Sequence, residues 1–182
     1  MSFNVLDENN IIEIVNNDSK LRISKFGAHV INWKINDNEL LWISKCSVMD
    51  GTSPIRGGIP ICFPQFADNG PLKLHGFARE TMWYVINNNN NDNNNMTNKV
   101  TLELSSSSNT KNIWNYDFIL TLTIELLESS LVMTMNVKNP SNEVPFDFST
   151  CFHTYFKVFI MHINILVYII EFDVNFFNTD FE

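Results

Sequence analysis

The sequence predicts an all-β chain of antiparallel strands, and three observations carry that expectation. In residues 118–126, Phe118, Leu120, Leu122, Ile124 and Leu126 are apolar, while most of the residues between them are polar. The next run repeats the pattern, with Leu131, Met133, Met135 and Val137 alternating with Val132, Thr134, Asn136 and Lys138. A period of two with one apolar face is the mark of a half-buried antiparallel strand. Leu127, Glu128, Ser129 and Ser130 between the runs read as a hairpin turn. The third observation is negative: no window along the chain shows an apolar stripe at helical spacing.

Earlier elements follow the same logic. Residues 11–15, 21–26, 28–35 and 40–43 read as strands, and Asn36, Asp37 and Asn38 form a turn between the last two. Val100, Leu102 and Leu104 mark a further strand. Residues 87–95 are asparagine throughout except for Asp92. Such a tract has nothing to bury and favours turn or coil, so it is placed as a loop insertion between two strands. The sequence shows no internal repeat and no domain boundary.

The bulk properties exclude several classes. The chain has 182 residues, of which 45% are hydrophobic, and this is enough to bury the core of one globular domain. A formal net charge of −8 argues against nucleic acid and against an anionic membrane surface as partners, since both require a basic face. A small anionic substrate remains compatible, because one or two arginines suffice locally. Residues 159–170 are almost wholly apolar, but they contain His162 and Asn164 and fall short of the roughly 20 residues that span a bilayer. The first residues have neither the basic start nor the apolar core of a signal peptide. Cys46, Cys62 and Cys151 are odd in number and widely spaced, which suggests neither a disulfide framework nor a zinc site. Reduced thiols and a cytoplasmic location are expected.

Between Gly51 and Trp83 the pattern changes. The segment Pro54-Ile55-Arg56-Gly57-Gly58-Ile59-Pro60-Ile61-Cys62-Phe63-Pro64-Gln65-Phe66 combines paired glycines, three prolines and one arginine. Glycine permits unusual backbone angles and proline stiffens the chain, so this reads as a rigid loop of the kind that lines a pocket. Leu74-His75-Gly76-Phe77-Ala78-Arg79 follows, then Trp83. This ordered set resembles the hexose-6-phosphate mutarotase branch of the aldose 1-epimerase family. The runs Gly27 to Lys34, Glu39 to Trp42, Phe146 to Phe148 and His153 to Lys157 fit the same pattern in the same order. The resemblance covers roughly residues 10 to 157, interrupted by the asparagine tract. It implies an antiparallel β-sandwich of the galactose mutarotase type, monomeric, with a hexose 6-phosphate as substrate and no cofactor or metal.

The implied reaction is interconversion of the α and β anomers of the sugar phosphate. Ring opening needs a proton delivered to the ring oxygen and another removed from the anomeric hydroxyl, so two groups in opposite protonation states must act together. On the resemblance, His153 is the acid that protonates the ring oxygen, and His75 binds an oxygen near the anomeric centre. Arg56 and Arg79 hold the phosphate, for which a guanidinium fork is well matched. The family's base is a glutamate far downstream, and an aspartate before it helps to bind the sugar. Leu74 departs from the family pattern, which often has glutamine there, and Gln65 is a candidate substitute for that sugar contact. From pattern alone, His153 on a mixed strand face would be a structural histidine, and the two arginines would be surface residues. His29 reads as structural, and Trp33, Trp42, Trp83 and Trp114 as core or rim aromatics.

The resemblance stops after Lys157. Residues 158–182 are rich in Ile, Phe, Asn and Tyr and are expected to be a divergent, non-native read-through. Without the downstream carboxylate, the chain alone is expected to show little or no mutarotase activity. Its alternatives are an inactive sugar-phosphate-binding module or a non-functional fragment.

Overall fold

A computed structural model describes residues 10–87, 98–141, 143–158 and 170–177, with backbone only for Asn87 and for 170–177. The first sheet is an ordered meander. Strand β1 (Ile11–Asn16) turns at Asn17 into β2 (Ser19–Ser24), which pairs with β3 (His29–Ile35). A short β4 (Asn38–Glu39) closes the sheet in the order β1-β2-β3-β4. Asn36 and Asp37 lie at φ 48° and 62°, the left-handed pair that a tight hairpin between twisted strands requires. The expected turn therefore stands where the sequence placed it.

The next short strand, β5 (Ile61–Cys62), belongs to the glycine- and proline-rich loop. Beyond it, β6 (Tyr84–Asn87), β7 (Lys99–Ser105), β8 (Ile119–Leu126) and β9 (Leu131–Lys138) form an antiparallel sheet. A second short strand, β10 (Cys151–Phe152), pairs antiparallel with β5. Finally, β11 (Ile170–Phe177) joins the far edge of the larger sheet, parallel to β9. The other strand pairings are antiparallel, with one isolated parallel bridge between Phe63 and Gly76, so the all-β expectation holds.

Alternation decides how the sheets meet. In β8 every second residue, Leu120 through Leu126, is buried, and in β9 Leu131, Met133, Met135 and Val137 are buried. These faces share one core with Ile14, Leu21, Ile23, Val30 and Trp33 of the first sheet. Asn16 reaches across to donate to the Leu126 carbonyl at 2.8 Å. The outer face carries Thr101 against Thr123 and Asn136 against Thr121, hydroxyl and amide partners suited to a solvated surface.

Three expectations change. The predicted strand 40–43 is instead a set of single bridges, Leu41 to Phe156 and Ile43 to Gly57. The cause is divided pairing, because Trp42 donates its amide to Tyr155 while its carbonyl accepts from Gly58. The strand expected at His153 forms only just before it, at β10, although His153 and Tyr155 keep sheet-like bonds to Pro60 and Gly58. A short helix, α1 (Ser108–Ile113), was not expected. It is held by a capping box between Ser107 and Thr110, and it buries Thr110 alone, so it carries no apolar stripe to read. The asparagine tract from residue 88 onward and residues 159–169 and 178–182 lie outside the described residues.

Phe63 ties the loop to the core. It is fully buried, and its ring meets those of Phe77, Trp114, Phe118 and Phe148 at centroid distances of 5.3–6.5 Å. Phe63→Ala is expected to cost about 3–5 kcal/mol of folding free energy, the usual range for emptying a large aromatic site. Urea denaturation checks this; a loss under about 1 kcal/mol would show that the ring is not part of the shared core.

Candidate active site

The loop is fixed by its backbone. Gly57 and Gly58 lie at φ 105° and 65°, conformations that side-chain-bearing residues rarely adopt. A Cβ on Gly57 would stand 2.2 Å from the Trp42 carbonyl oxygen, and one on Gly58 would stand 2.3 Å from that of Val30. The chain passes so close because it bonds on both sides: Gly58 N–H to Trp42, Ile59 N–H to Val30, and the Pro60 carbonyl to the His153 N–H. Arg56 projects from the residue before the glycines. Its guanidinium is exposed and has no hydrogen bond or ion pair among the described residues.

His29 lies beneath this turn, fully buried, with Nε2 2.7 Å from the Gly57 carbonyl oxygen. A carbonyl only accepts, so Nε2 carries the proton and Nδ1, which has no partner, is bare. Protonating Nδ1 would place a charge in a fully buried site. Burial accordingly pulls the His29 pKa down to about 4; the Gly57 bond opposes this shift and the nearby Arg79 charge assists it.

His75 and His153 come together. Their ring centroids are 5.5 Å apart in an edge-to-face arrangement. His75 itself is left-handed at φ 67°, a conformation uncommon for a residue with a side chain. Its Nδ1 accepts the Ala67 N–H at 3.1 Å, which assigns the proton of the neutral ring to Nε2. Burial, Arg79 and His153 all lower the His75 pKa. His75 is therefore a neutral imidazole with an N–H free to donate. His153 is half-buried, and its ring nitrogens have no hydrogen-bond partner among the described residues. Tyr155 stacks on it at 4.8 Å and 20°, and Trp42 lies 6.1 Å beyond Tyr155. Phe66 flanks His75 at 5.5 Å, so five rings stand in a row along this rim.

Arg79 and Gln65 are placed differently. The Arg79 side chain is only 17% exposed; Nη2 donates to the Leu74 carbonyl at 2.8 Å, and Nε lies 3.9 Å from Glu80, too far for a hydrogen bond. It braces the backbone just before His75 and supplies positive potential to both His75 and His29. Gln65 is 3% exposed, and its amide is engaged within the loop: Nε2 donates to Ala67 and Leu72, and Oε1 accepts from Leu72. It holds the loop in shape and offers no donor to a ligand. Leu74, half-exposed, presents no polar group in its place.

Cys62 and Cys151 are directly opposite across β5 and β10. Burial pushes the Cys62 thiol up to about 11 and shifts Cys151 in the same direction, so neither is a thiolate nucleophile at neutral pH. Among the described residues no carboxylate is bonded to either imidazole, and no three His, Cys, Asp or Glu side chains are grouped to hold a metal ion. No helix there is long and apolar enough to cross a membrane.

Similarity to solved structures defines the class first. The fold is that of the mutarotases: the crystal structure of a "putative mutarotase" from Salmonella typhimurium matches with a TM-score of 0.56 and 33% identity, over 64% of this chain and 39% of that one. The chain belongs to the aldose 1-epimerase family, whose model matches residues 10–171. Two curated relatives are each named "Putative glucose-6-phosphate 1-epimerase". One, from Cenchrus ciliaris, is 37% identical over 73% of this chain and 42% of its own length. The other, from Escherichia coli, is 32% identical over 84% of this chain and 50% of its own length. The chain thus spans half or less of the curated relatives it matches. The family match continues past Lys157, where the resemblance read from the sequence ends.

The His29 geometry predicts a pH dependence of stability. Its folded pKa lies below the ordinary value of 6.5, so between pH 6.5 and about 4 the unfolded chain binds more protons than the folded one. The contribution is complete above pH 6.5 and is lost as pH falls through that window, amounting to roughly 3 kcal/mol. Urea midpoints between pH 7 and pH 4 check it. His29→Asn, which keeps a donor but does not titrate, is expected to flatten that part of the profile.

Proposed function

We propose that the chain carries the acid and phosphate-binding side of a site that interconverts the α and β anomers of a hexose 6-phosphate, glucose 6-phosphate being the substrate favoured. The observation that carries this reading is the pair of adjacent imidazoles of which one, His75, is held neutral with its Nε2–H unengaged. The family membership and the relatives' names support sugar anomers as the substrate class.

In this mechanism His75 donates to a sugar oxygen beside the anomeric centre and so fixes the ring against His153. His153 gives its proton to the ring oxygen as the ring bond to carbon 1 breaks. A carboxylate takes the anomeric hydroxyl proton, carbon 1 rotates, and closure on the other face returns both protons. The exposed Arg56 pairs with the 6-phosphate, where an unpaired guanidinium can form two parallel charged hydrogen bonds. Arg79, held against Leu74, contributes to the phosphate site mainly through its positive potential.

A second reading is a sugar-phosphate-binding module without turnover. It is favoured by the absence of a carboxylate at either imidazole among the described residues.

Polarimetry of freshly dissolved α-glucose 6-phosphate separates the two readings. The catalytic reading, with a carboxylate outside the described residues completing the acid–base pair, expects the chain to accelerate mutarotation over buffer, against the inactivity expected from the missing downstream glutamate, and His153→Ala to lose at least about tenfold, or 1.4 kcal/mol, of that acceleration. Titration calorimetry gives the other arm. Binding of glucose 6-phosphate that weakens in Arg56→Ala, with no acceleration, selects the binding module. Neither acceleration nor binding by folded protein rejects both readings.

A further inference from the structure

An imidazole that exchanges protons must be held in a fixed plane, and it is usually held by a hydrogen bond from its second nitrogen. His153 has no such bond among the described residues. It is enclosed by rings instead. Tyr155 lies against one side at 4.8 Å and 20° from parallel, and His75 meets it edge to face at 5.5 Å.

We propose that Tyr155 is a positioning residue for His153, fixing the imidazole plane by stacking so that both ring nitrogens remain available for proton exchange. The inference rests on the reading of His153 as the acid and names what orients it.

Three features make the stack a device rather than a chance contact. First, both residues are pinned to the same loop segment: the His153 N–H bonds to Pro60 and the Tyr155 N–H to Gly58, each at 2.9 Å. Residues two apart on an extended segment point to the same side, so these bonds bring the two rings side by side. Second, Tyr155 is itself backed. Trp42 donates its amide to the Tyr155 carbonyl at 2.9 Å, and its ring lies 6.1 Å away, on a segment tied to Gly58 in turn. Third, Tyr155 is 37% exposed and Trp42 47% exposed, a poor return if the rings served only the core. Offset-stacked and edge-to-face ring contacts are favourable but individually small. That suffices to hold a ring plane but not to hold a fold together. The tyrosine hydroxyl has no part in the proposal, and this makes phenylalanine a clean substitute.

The test uses two variants of the full chain, Tyr155→Phe and Tyr155→Leu, and two readouts. In the NMR spectrum of the unmodified chain, the His153 ring protons are expected to show cross-relaxation with the Tyr155 ring and shielding by its π face. Tyr155→Phe is expected to keep both, while Tyr155→Leu moves the His153 ring protons downfield. Mutarotation of α-glucose 6-phosphate is expected to be unchanged in Tyr155→Phe. In Tyr155→Leu, kcat falls about tenfold with KM within twofold, as loss of orientation without loss of binding requires.

The proposal is overturned if no cross-relaxation appears in the unmodified chain, which needs no variant to fold. It is equally overturned if Tyr155→Leu leaves the His153 shifts unmoved, or if Tyr155→Phe behaves like Tyr155→Leu and so implicates the hydroxyl. If the NMR pattern holds while His153→Ala turns over substrate as fast as the unmodified chain, the stack stands and the acid assignment fails.

Discussion

The site depends on one constraint: the backbone from Gly57 to Phe66 is bonded along both of its edges. Gly58 gives its N–H to Trp42 and its carbonyl to Tyr155, Ile59 bonds to Val30, and Pro60 accepts from His153. Further along, Phe63 accepts from Phe77 and Ala78, and Pro64 accepts from Ser149. Two prolines with no N–H and two glycines with no Cβ are what such a path can accommodate, since side chains at 57 and 58 would overlap carbonyl oxygens. Three remote stretches, around residues 30, 42 and 155, are thereby registered against one loop. Of the candidate site residues, His153 lies on one of these stretches, Arg56 stands beside the loop's glycines, and His75 is held to the loop through the bonds of Phe77 and Ala78 to Phe63, so their mutual geometry follows from the loop.

Burial then divides the polar residues into two groups. His29, Gln65 and most of Arg79 face inward, and the side-chain hydrogen bonds they make go to the backbone: to Gly57, to Ala67 and Leu72, and to Leu74. Arg56, His75 and His153 face outward with nitrogens to spare. The inner group also sets the electrostatics of the outer one. Arg79 cannot leave its position against Leu74 without giving up that bond, and its fixed charge helps keep His75 neutral. A neutral donor beside a second imidazole is a more useful arrangement for ring opening than two cations, which would repel each other and any incoming proton.

The legible part of this molecule was whatever alternation or motif could express. The strands β7, β8 and β9 and the turn at Asn36 and Asp37 were readable because each side chain reports one face of a pleated sheet or one backbone angle. The pairing of His75 with His153 was available only through the ordered motifs, because nothing in the spacing of residues 78 apart brings them together. Gln65 shows the opposite limit. A glutamine in a pocket-lining loop suggests a ligand contact, yet Gly70 packs closely against it, and Ala67 and Leu72 take up its amide. His29 read as structural, and structural it is, but its bond to Gly57 makes it the buried support of the arginine-bearing turn. That role rests on a tertiary contact 28 residues away, which no local pattern encodes.

The five rings from Phe66 to Trp42 follow from the same constraint. A loop saturated with backbone bonds has few polar groups left with which to brace side chains on its rim. Hydrogen-bonded orientation of His153 would require a further acceptor, and on the reading of His153 as the acid such an acceptor would compete with the substrate for its proton. Aromatic neighbours remove this conflict: they restrict the plane of the ring while leaving both nitrogens unengaged, and they are insensitive to which nitrogen is protonated. On the proposed reading, the rim is thus apolar where it orients and polar where it reacts, at Arg56, His75 and His153.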